Sequence, residues 1–201
     1  MDHLPLFILI IGVAGSGKTE IGKLIAKQLC YVYLDKDTLT RPYTEKFLEV
    51  SSPTHDPNDR ESSFYLDNVR PLEYSISLNV AEENLRIGNS VVVSAPFLTE
   101  AKTPNWINRE ILVGKKLLNR VHLKVVLVVS DRPTERKRLI QRGADRDKWK
   151  LYHWEPYTNS INDFEIQWDL DSTEIFKFDN REVPTIPFNK QMEELVKWIK
   201  N

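Results

Sequence analysis

Short apolar runs alternate along the chain with segments in which apolar residues recur at helical spacing. Runs rich in β-branched side chains predict four buried strands, which are Phe7 to Ile11, Tyr31 to Leu34, Val91 to Val93 and Val125 to Val129. A fifth strand is predicted near Glu174 to Phe178. Strands that alternate with helices are typical of a parallel sheet covered on both faces, so the pattern predicts the α/β class.

Helical spacing predicts one helix after the first strand, one before each of the third and fourth strands, and one at the C-terminus. The residues that mark these helices are Ile21, Leu24, Ile25 and Leu29; Tyr74, Leu78, Ala81 and Leu85; Ile107, Ile111, Leu112 and Leu118; and Met192, Leu195, Val196 and Ile199. Between them, the stretch 51–59 contains Pro53 and Pro57 among Ser, Asn and Asp residues, which predicts a loop.

Composition predicts one soluble domain over residues 1–201. The 28 basic and 29 acidic side chains nearly balance, so a nucleic-acid partner is possible but not favoured, and no membrane partner is expected. The lone Cys30 excludes an intramolecular disulfide and favours a reducing cytoplasm. The apolar run Leu6 to Ile11 is too short to span a bilayer and lacks a preceding positive segment, so no targeting signal is expected.

The segment Gly12 to Thr19 fits the phosphate-binding pattern G-x-x-x-x-G-K-[ST] in full. It lies between a buried strand and an amphipathic helix, where backbone N–H groups and the helix N-terminus can face phosphate oxygens. Lys18 is expected to reach the β and γ phosphates, and the Thr19 hydroxyl is expected to bind Mg²⁺. The predicted nucleotide contacts here are Gly12, Ala14, Gly15, Ser16, Gly17, Lys18, Thr19 and Glu20.

Asp131 follows the fourth predicted strand, where other P-loop classes place an acid that orders magnesium. It precedes Arg132-Pro133-Thr134-Glu135, a pattern that favours a helix N-cap over a metal role. The sequence contains no guanine-selecting Asn-Lys-x-Asp motif, which favours ATP over GTP.

After the second predicted strand the chain reads Asp35-Lys36-Asp37-Thr38-Leu39. Here it resembles small P-loop kinases related to gluconate kinase, adenylylsulfate kinase and chloramphenicol phosphotransferase. Together with segments further along, the sequence from about residue 6 to about residue 158 resembles the broad AAA_33 group of ATP-binding proteins, which includes polynucleotide-kinase-like domains. Those segments are Asp59 to Ser62, Phe64 to Leu66, Arg70-Pro71, Ser94 to Phe97, Arg142-Gly143 and Trp149 to Leu151.

The resemblance implies a three-layer α/β/α P-loop fold with strand order 2-3-1-4-5 and a mobile lid. It implies that Asp37 faces the acceptor hydroxyl as base or orienter, close to Mg²⁺, with Asp35 in support. The position of these carboxylates agrees with that role, because ligands of open α/β sheets bind at the carboxyl ends of the strands. A turn or N-cap role for Asp37 is the alternative.

The segment Glu135 to Arg146 has the form of a kinase lid, which we expect over about residues 138–150. Arg138 and Arg142 are one helical turn apart and therefore share a face. Similarity to nucleoside-monophosphate-type kinases implies that Arg138 lies against adenine and that Arg142 and Arg146 contact the transferring phosphates. Gly143 would end the helix and act as a hinge. A solvated helix of mixed charge is the alternative.

Relative to gluconate kinase, the chain has a long insertion at about residues 41–88, where the acceptor is expected to bind. It contains Arg41, Arg60 and Arg70, and guanidinium groups bind carboxylate or phosphate bidentately. Each arginine could instead pair with one of the neighbouring acids, which are Glu45, Asp56, Asp59, Asp67 and Glu73. The predicted acceptor contacts are Asp35, Arg41, Arg60, Arg70, Ser94 and Arg146.

The aromatic residues Tyr152, Trp154 and Tyr157 follow the predicted lid. They could stack on a base or a sugar, but core packing is the preferred interpretation. His55 and His153 are isolated in the sequence, so we assign no chemistry to them.

The sequence therefore predicts an ATP- and Mg²⁺-dependent phosphotransferase, a monomer or homodimer, acting on a small, anionic metabolite or nucleotide. Lys18, Asp37 and Arg142 are its expected catalytic residues, and Thr19 and Asp37 its expected metal ligands. One alternative is a polynucleotide 5′-hydroxyl kinase. A second, from a different class, is a non-catalytic ATP-binding switch.

Overall fold

The computed structural model describes residues 4–161, 164–171 and 174–201. These residues form one sheet of five parallel strands, β1 (Leu6–Ile11), β2 (Val32–Asp35), β3 (Val91–Ser94), β4 (His122–Val129) and β5 (Ile175–Asp179). The strand order is β2-β3-β1-β4-β5, which confirms the order implied by the family resemblance.

Helices cover both faces of the sheet. Among the described residues they are α1 (Lys18–Leu29), α2 (Lys36–Ser51), α3 (Arg70–Arg86), α4 (Arg132–Arg142), α5 (Lys148–Tyr152), α6 (Trp154–Ser160) and α7 (Phe188–Lys200). The central strand β1 is buried on both sides, because its alternate residues enter two separate cores. Phe7, Leu9 and Ile11 pack on the side of α3, whereas Ile8 and Ile10 pack on the side of α1 and α7.

The predicted strands are confirmed with small shifts at their ends. The largest difference is in β4, which starts at His122 rather than at Val125. Its first residues pair with the start of β1, from Leu6↔His122 onward. Polar residues hide this extension from a search for apolar runs: Lys124 is half-buried, and its ammonium lies over the Trp198 ring at 4.6 Å.

The helix predicted through Leu118 is wrong at its C-terminal end. Ile107 and Ile111 are buried in a π-helical segment, Ile107–Val113, as the spacing requires. Beyond Gly114 the chain turns, with positive φ at Lys116 and Asn119, so Leu117 is buried and Leu118 is exposed. The predicted loop is confirmed from residue 52 onward, since α2 continues through Ser51.

No described helix is both long and apolar enough to cross a bilayer.

Asp131 is the N-cap of α4, as predicted: its carboxylate accepts a hydrogen bond of 2.9 Å from the Thr134 N–H. Asp131→Ala should lower the free energy of unfolding by about 1 kcal/mol through loss of the cap. Urea denaturation measures this cost, and nucleotide affinity in the presence of Mg²⁺ should be unchanged. A loss of metal-dependent affinity without a loss of stability would contradict the cap assignment.

Candidate active site

A cavity of about 470 Å³ opens at the carboxyl ends of β1, β2 and β3. Parallel strands bring their carboxyl ends to one edge of the sheet, so residues distant in sequence meet there. The lining residues are Ala14, Gly15, Gly17, Lys18, Thr19, Glu20, Lys23, Asp35, Lys36, Asp37, Thr38, Arg41, Arg60, Tyr65, Ser94, Ala95, Pro96, Arg138, Leu139, Arg142, Arg146, Asp147 and Lys150. Most of the residues predicted from the sequence therefore lie on one cavity.

The phosphate-binding turn depends on glycine at two close approaches. Gly15 has φ 83°, and a Cβ there would lie 2.7 Å from the Glu135 carbonyl oxygen. Gly17 has φ 95°, and a Cβ there would lie 2.2 Å from Nδ2 of Asn180. The turn therefore packs directly against α4 and against the residue that follows β5.

Arg138 and Asn180 hold the turn from outside. Arg138 donates to the Ser16 carbonyl at 3.0 Å and to the Asn180 carbonyl at 2.9 Å, and Asn180 Nδ2 donates to the Ser16 carbonyl at 2.7 Å. Sequence reasoning missed Asn180, because no motif marks it and it lies 164 residues from Ser16. The Ser16 hydroxyl is buried with no hydrogen-bond partner among the described residues, so this residue contributes backbone rather than side chain.

Lys18 lies under the turn and donates to the Val13 carbonyl at 2.7 Å. Burial lowers the pKa of Lys18 to about 8, a shift that the nearby Asp37 opposes and the charge of Arg142 increases. Arg142 is thus close enough to Lys18 for their charges to repel each other.

Asp35 lies beside Thr19. The Thr19 hydroxyl donates to Asp35 Oδ2 at 3.3 Å, and the other oxygen of Asp35 accepts the Thr38 N–H at 2.9 Å as the N-cap of α2. A hydroxyl and a carboxylate oxygen are hard donors that suit Mg²⁺, which retains several waters in most protein sites. The sequence-based expectation paired Thr19 with Asp37 at the metal, whereas the structure places Asp35 against Thr19.

Asp37, in the first turn of α2, is held by two cations. Its oxygens contact Lys36 Nζ at 2.9 Å and Arg146 Nη1 at 3.0 Å. Burial opposes ionisation, but the charges of Lys36 and Arg146 outweigh it and hold the pKa of Asp37 well below its usual range. The carboxylate is therefore ionised at any physiological pH.

A buried carboxylate, Glu73 of α3, organises the part of the cavity wall that the insertion at about residues 41–88 contributes. It is 2% exposed and accepts hydrogen bonds from five side chains. Of these contacts, sequence reasoning anticipated only the one with Arg60, as the alternative in which that arginine pairs with a nearby acid. The donors are Lys36 at 2.5 Å, Tyr65 at 2.7 Å, Thr44 at 2.8 Å, Arg60 at 3.0 Å and Thr40 at 3.3 Å. Arg60 also lies over the Tyr65 ring at 5.3 Å, so two cavity-lining side chains are fixed by one acid.

The predicted lid arginines contact protein groups here. Arg142 pairs with Asp147 and Arg146 with Asp37, whereas Arg138 contacts the phosphate-binding turn. Gly143 ends α4 in the left-handed conformation, φ 59°, as predicted for a cap. Lys150, which the sequence did not single out, lines the cavity and pairs with Glu61.

The remaining predicted residues divide between the cavity and the surrounding structure. Ser94 is buried at the end of β3 and lines the cavity, and Arg41 lies exposed at its edge. Arg70 does not line it: its guanidinium pairs with Glu100 at 2.7 Å and packs on Tyr74. Glu100 is 30 residues from Arg70 in the sequence and is not one of the neighbouring acids that the sequence suggested as its partner.

The three aromatic residues that follow the predicted lid differ in their burial. Tyr157 is buried against Val13 with Trp154 packed beside it, as expected for a core role, but Tyr152 is 82% exposed. His153 stacks on Trp149 with ring centroids 4.7 Å apart. His55 Nδ1 donates a hydrogen bond to the Glu49 carbonyl at 2.9 Å, outside the cavity.

The AAA_33 family model, described as an AAA domain, matches residues 7–159. The chain belongs to the AAA_33 family. Among curated relatives, it is 38% identical over 73 residues to a shikimate kinase of Synechococcus elongatus, which covers 36% of this chain and 35% of that protein. It is 35% identical over 98 residues to a cytidylate kinase of Streptococcus mutans, covering 49% of this chain and 41% of that protein. The chain thus spans less than half the length of these relatives.

Solved structures agree on the fold of this AAA_33 protein. A gluconokinase of Sinorhizobium meliloti has a TM-score of 0.54 at 20% identity, covering 98% of this chain and 93% of that one. A shikimate kinase of Bacteroides thetaiotaomicron has a TM-score of 0.56 at 17% identity, covering 98% of this chain and 99% of that one. The fold is that of P-loop kinases.

The low pKa of Lys18 predicts a pH dependence of nucleotide binding. A bound triphosphate favours the charged ammonium, so the pKa of Lys18, about 8 in the free protein, should rise on binding. Near neutral pH the group is already largely charged, but above pH 8 binding requires uptake of a proton. Affinity should therefore fall above about pH 8, by up to about tenfold for each further pH unit.

Isothermal titration calorimetry of a non-hydrolysable ATP analogue tests this in two buffers of different ionisation enthalpy. At about pH 9 the two buffers should report net proton uptake, and near neutral pH much less. Equal affinities from neutral pH to pH 9, with no uptake, would contradict the prediction.

Proposed function

We propose that this protein transfers the γ-phosphoryl group of ATP to a hydroxyl or phosphate group of a small, anionic metabolite. The observation that carries the proposal is that one cavity joins the phosphate-binding turn, the ionised Asp37 and a cationic wall contributed by the insertion and the lid segment. Membership in a family whose fold is shared with small-molecule kinases supports the same reaction.

Charge within the cavity favours anionic ligands. Nine basic side chains line it against four acidic ones, although the whole chain has a net charge of −1. The basic residues are Lys18, Lys23, Lys36, Arg41, Arg60, Arg138, Arg142, Arg146 and Lys150, and the acidic ones are Glu20, Asp35, Asp37 and Asp147. A cavity of one sign focuses the field and attracts ligands of the other, which suits a triphosphate together with an anionic acceptor.

On the nucleotide side, the backbone of the turn and Lys18 bind the β and γ phosphates. Thr19 and Asp35 would hold Mg²⁺, which neutralises charge on the transferring group. Arg138 and Asn180 keep the turn in its binding conformation through the Ser16 carbonyl. Arg142 adds positive charge beside Lys18, where charge redistributes during transfer.

On the acceptor side, Asp37 accepts a hydrogen bond from the reacting hydroxyl. Its low pKa makes it a weak base, so it orients the nucleophile and takes the proton only as the bond to phosphorus forms. Arg60, fixed by Glu73, and Arg41 line the cavity, and we assign them to the anionic group of the acceptor.

A screen with γ-labelled ATP tests the proposed reaction against sugars, sugar acids, nucleosides, nucleotides and oligonucleotides. Label should move to an anionic small molecule, and Lys18→Ala should abolish transfer. Transfer to oligonucleotide 5′-hydroxyls alone would instead support a polynucleotide kinase. Tight ATP binding without transfer to any acceptor would support a nucleotide-binding switch.

Asp37→Asn should reduce kcat by at least about 10² while nucleotide affinity changes only a few-fold, because the carboxylate contacts the acceptor rather than ATP. The measurement is steady-state kinetics with the acceptor found in the screen, together with calorimetric binding of the ATP analogue. Exposed Glu49→Gln on the same helix is the control and should leave both values unchanged. A larger loss in Asp35→Asn would reverse the assignment of the two carboxylates.

The two arginines of α4 should give different kinetic signatures. Arg142→Ala should lower kcat by about 10³ or more with little change in ATP affinity, because charge at the transferring group matters most in the transition state. Arg138→Ala should instead weaken ATP binding by about tenfold, since it braces the turn and faces the nucleotide side. Exposed Arg136→Ala on the same helix is the control. Nearly wild-type profiles of both Arg142→Ala and Arg138→Ala would contradict a lid role for α4.

A further inference from the structure

Asp147 is a buried carboxylate directly behind Arg142. The left-handed Gly143 ends α4, and the short turn Asp145–Asp147 then brings the chain back beside the last residue of the helix. The side chain of Asp147 is 4% exposed, whereas that of its partner Arg142 is 41% exposed. Asp147 Oδ2 accepts from Arg142 Nε at 2.7 Å and lies 2.5 Å from Nη2.

Stability alone does not account for this arrangement. Removing a carboxylate from water is costly, and a buried ion pair contributes little net stability compared with apolar packing. An ion pair between a buried acid and a half-exposed arginine instead fixes the direction of the guanidinium group, because its donors lie in one rigid plane. The neighbouring Asp145–Lys148 pair differs: both of its side chains are more than 60% exposed.

The contact with Asp147 holds Arg142 at the cavity that the phosphate-binding turn also lines. Arg142 and Asp147 line the cavity together with Lys18, and the charge of Arg142 is felt at Lys18. Without a counter-charge, repulsion from Lys18 and the other cavity cations would turn Arg142 toward solvent before the nucleotide binds. The contacts of Asp147 occupy the Nε and Nη2 side of the guanidinium and leave Nη1 for a ligand.

We propose that Asp147 is a positioning residue that holds the Arg142 guanidinium at the transferring phosphoryl group. This inference rests on the proposed function, in which Arg142 acts on that group. Two other roles of the same ion pair are distinguished from this one. In the first, the pair is purely structural. In the second, Asp147 competes with the ligand, because it occupies Arg142 until a phosphate group displaces it.

The experiment compares the affinities for ADP alone and for ADP with Mg²⁺ and aluminium fluoride, which mimics the transferring phosphoryl group. The variants are Asp147→Asn, Arg142→Ala and the double variant, with Asp145→Asn as the matched control from the same turn. Asp147→Asn should weaken binding in the presence of aluminium fluoride by about tenfold or more and leave ADP binding within about threefold. In the Arg142→Ala background it should have no further effect, because it acts through Arg142.

Each other outcome overturns the proposal. Tighter binding of the aluminium fluoride complex by Asp147→Asn would make the carboxylate a competitor. Equal losses with and without aluminium fluoride, or losses that add to those of Arg142→Ala, would make it structural. If Asp147→Asn does not fold, Asp147→Glu replaces it, because this variant keeps the charge but moves it by one methylene. Asp147→Glu must then lose affinity in the presence of aluminium fluoride and retain affinity for ADP.

The failure of the proposed function has a different signature. If wild-type protein gains no affinity from aluminium fluoride, the phosphoryl-transfer proposal fails and this inference with it. If Arg142→Ala loses the gain and Asp147→Asn retains it, only the role of Asp147 is overturned.

Discussion

Burial of β1 on both faces is the constraint on which the rest of the structure depends. A phosphate-binding turn needs its backbone N–H groups unpaired and aimed at one point, and only a rigid support keeps them there. β1 provides that support because its side chains enter both cores and both of its neighbours pair with it in register. The same parallel arrangement brings Asp35 at the end of β2 and Ser94 at the end of β3 to the edge where the turn begins.

Glu73 has a comparable role on the proposed acceptor side, but through charge rather than apolar packing. Lys36 is almost fully buried, and a buried ammonium is tolerated only with a matching carboxylate. Glu73 supplies it from α3 while Asp37 contacts the same ammonium. One buried cation thus connects the packing of α2 on α3 to the position of the carboxylate that faces the cavity. The orientation of Arg60 depends on the same acid.

The fold and the glycine turn that carries Lys18 and Thr19 could be predicted from the sequence, because both rest on local patterns. A continuous apolar run identifies a strand buried on both faces, and the glycine pattern with Lys18 and Thr19 identifies the turn. The acceptor side could not be predicted in the same way. Glu73, Asn180 and Lys150 have contacts 37, 164 and 89 residues away, and no periodicity records such pairs. Arg70 shows why residue type alone is insufficient. It was a predicted acceptor contact because it is an arginine in the insertion, but it pairs with Glu100 outside the cavity.

The ion pairs of the segment that follows α4 connect the two sides of the cavity. Arg146 contacts Asp37 on α2, and Lys150 contacts Glu61 in the loop before α3, while Arg142 remains beside Lys18. A cation-rich cavity requires such acids, because the positive groups would otherwise repel one another before a ligand arrives. An anionic ligand that took over Arg146 or Lys150 would free the acid with which that cation pairs, Asp37 or Glu61. In the proposed reaction, the segment would thereby couple nucleotide binding to the acceptor side, through charges that must be satisfied in both the free and the bound state.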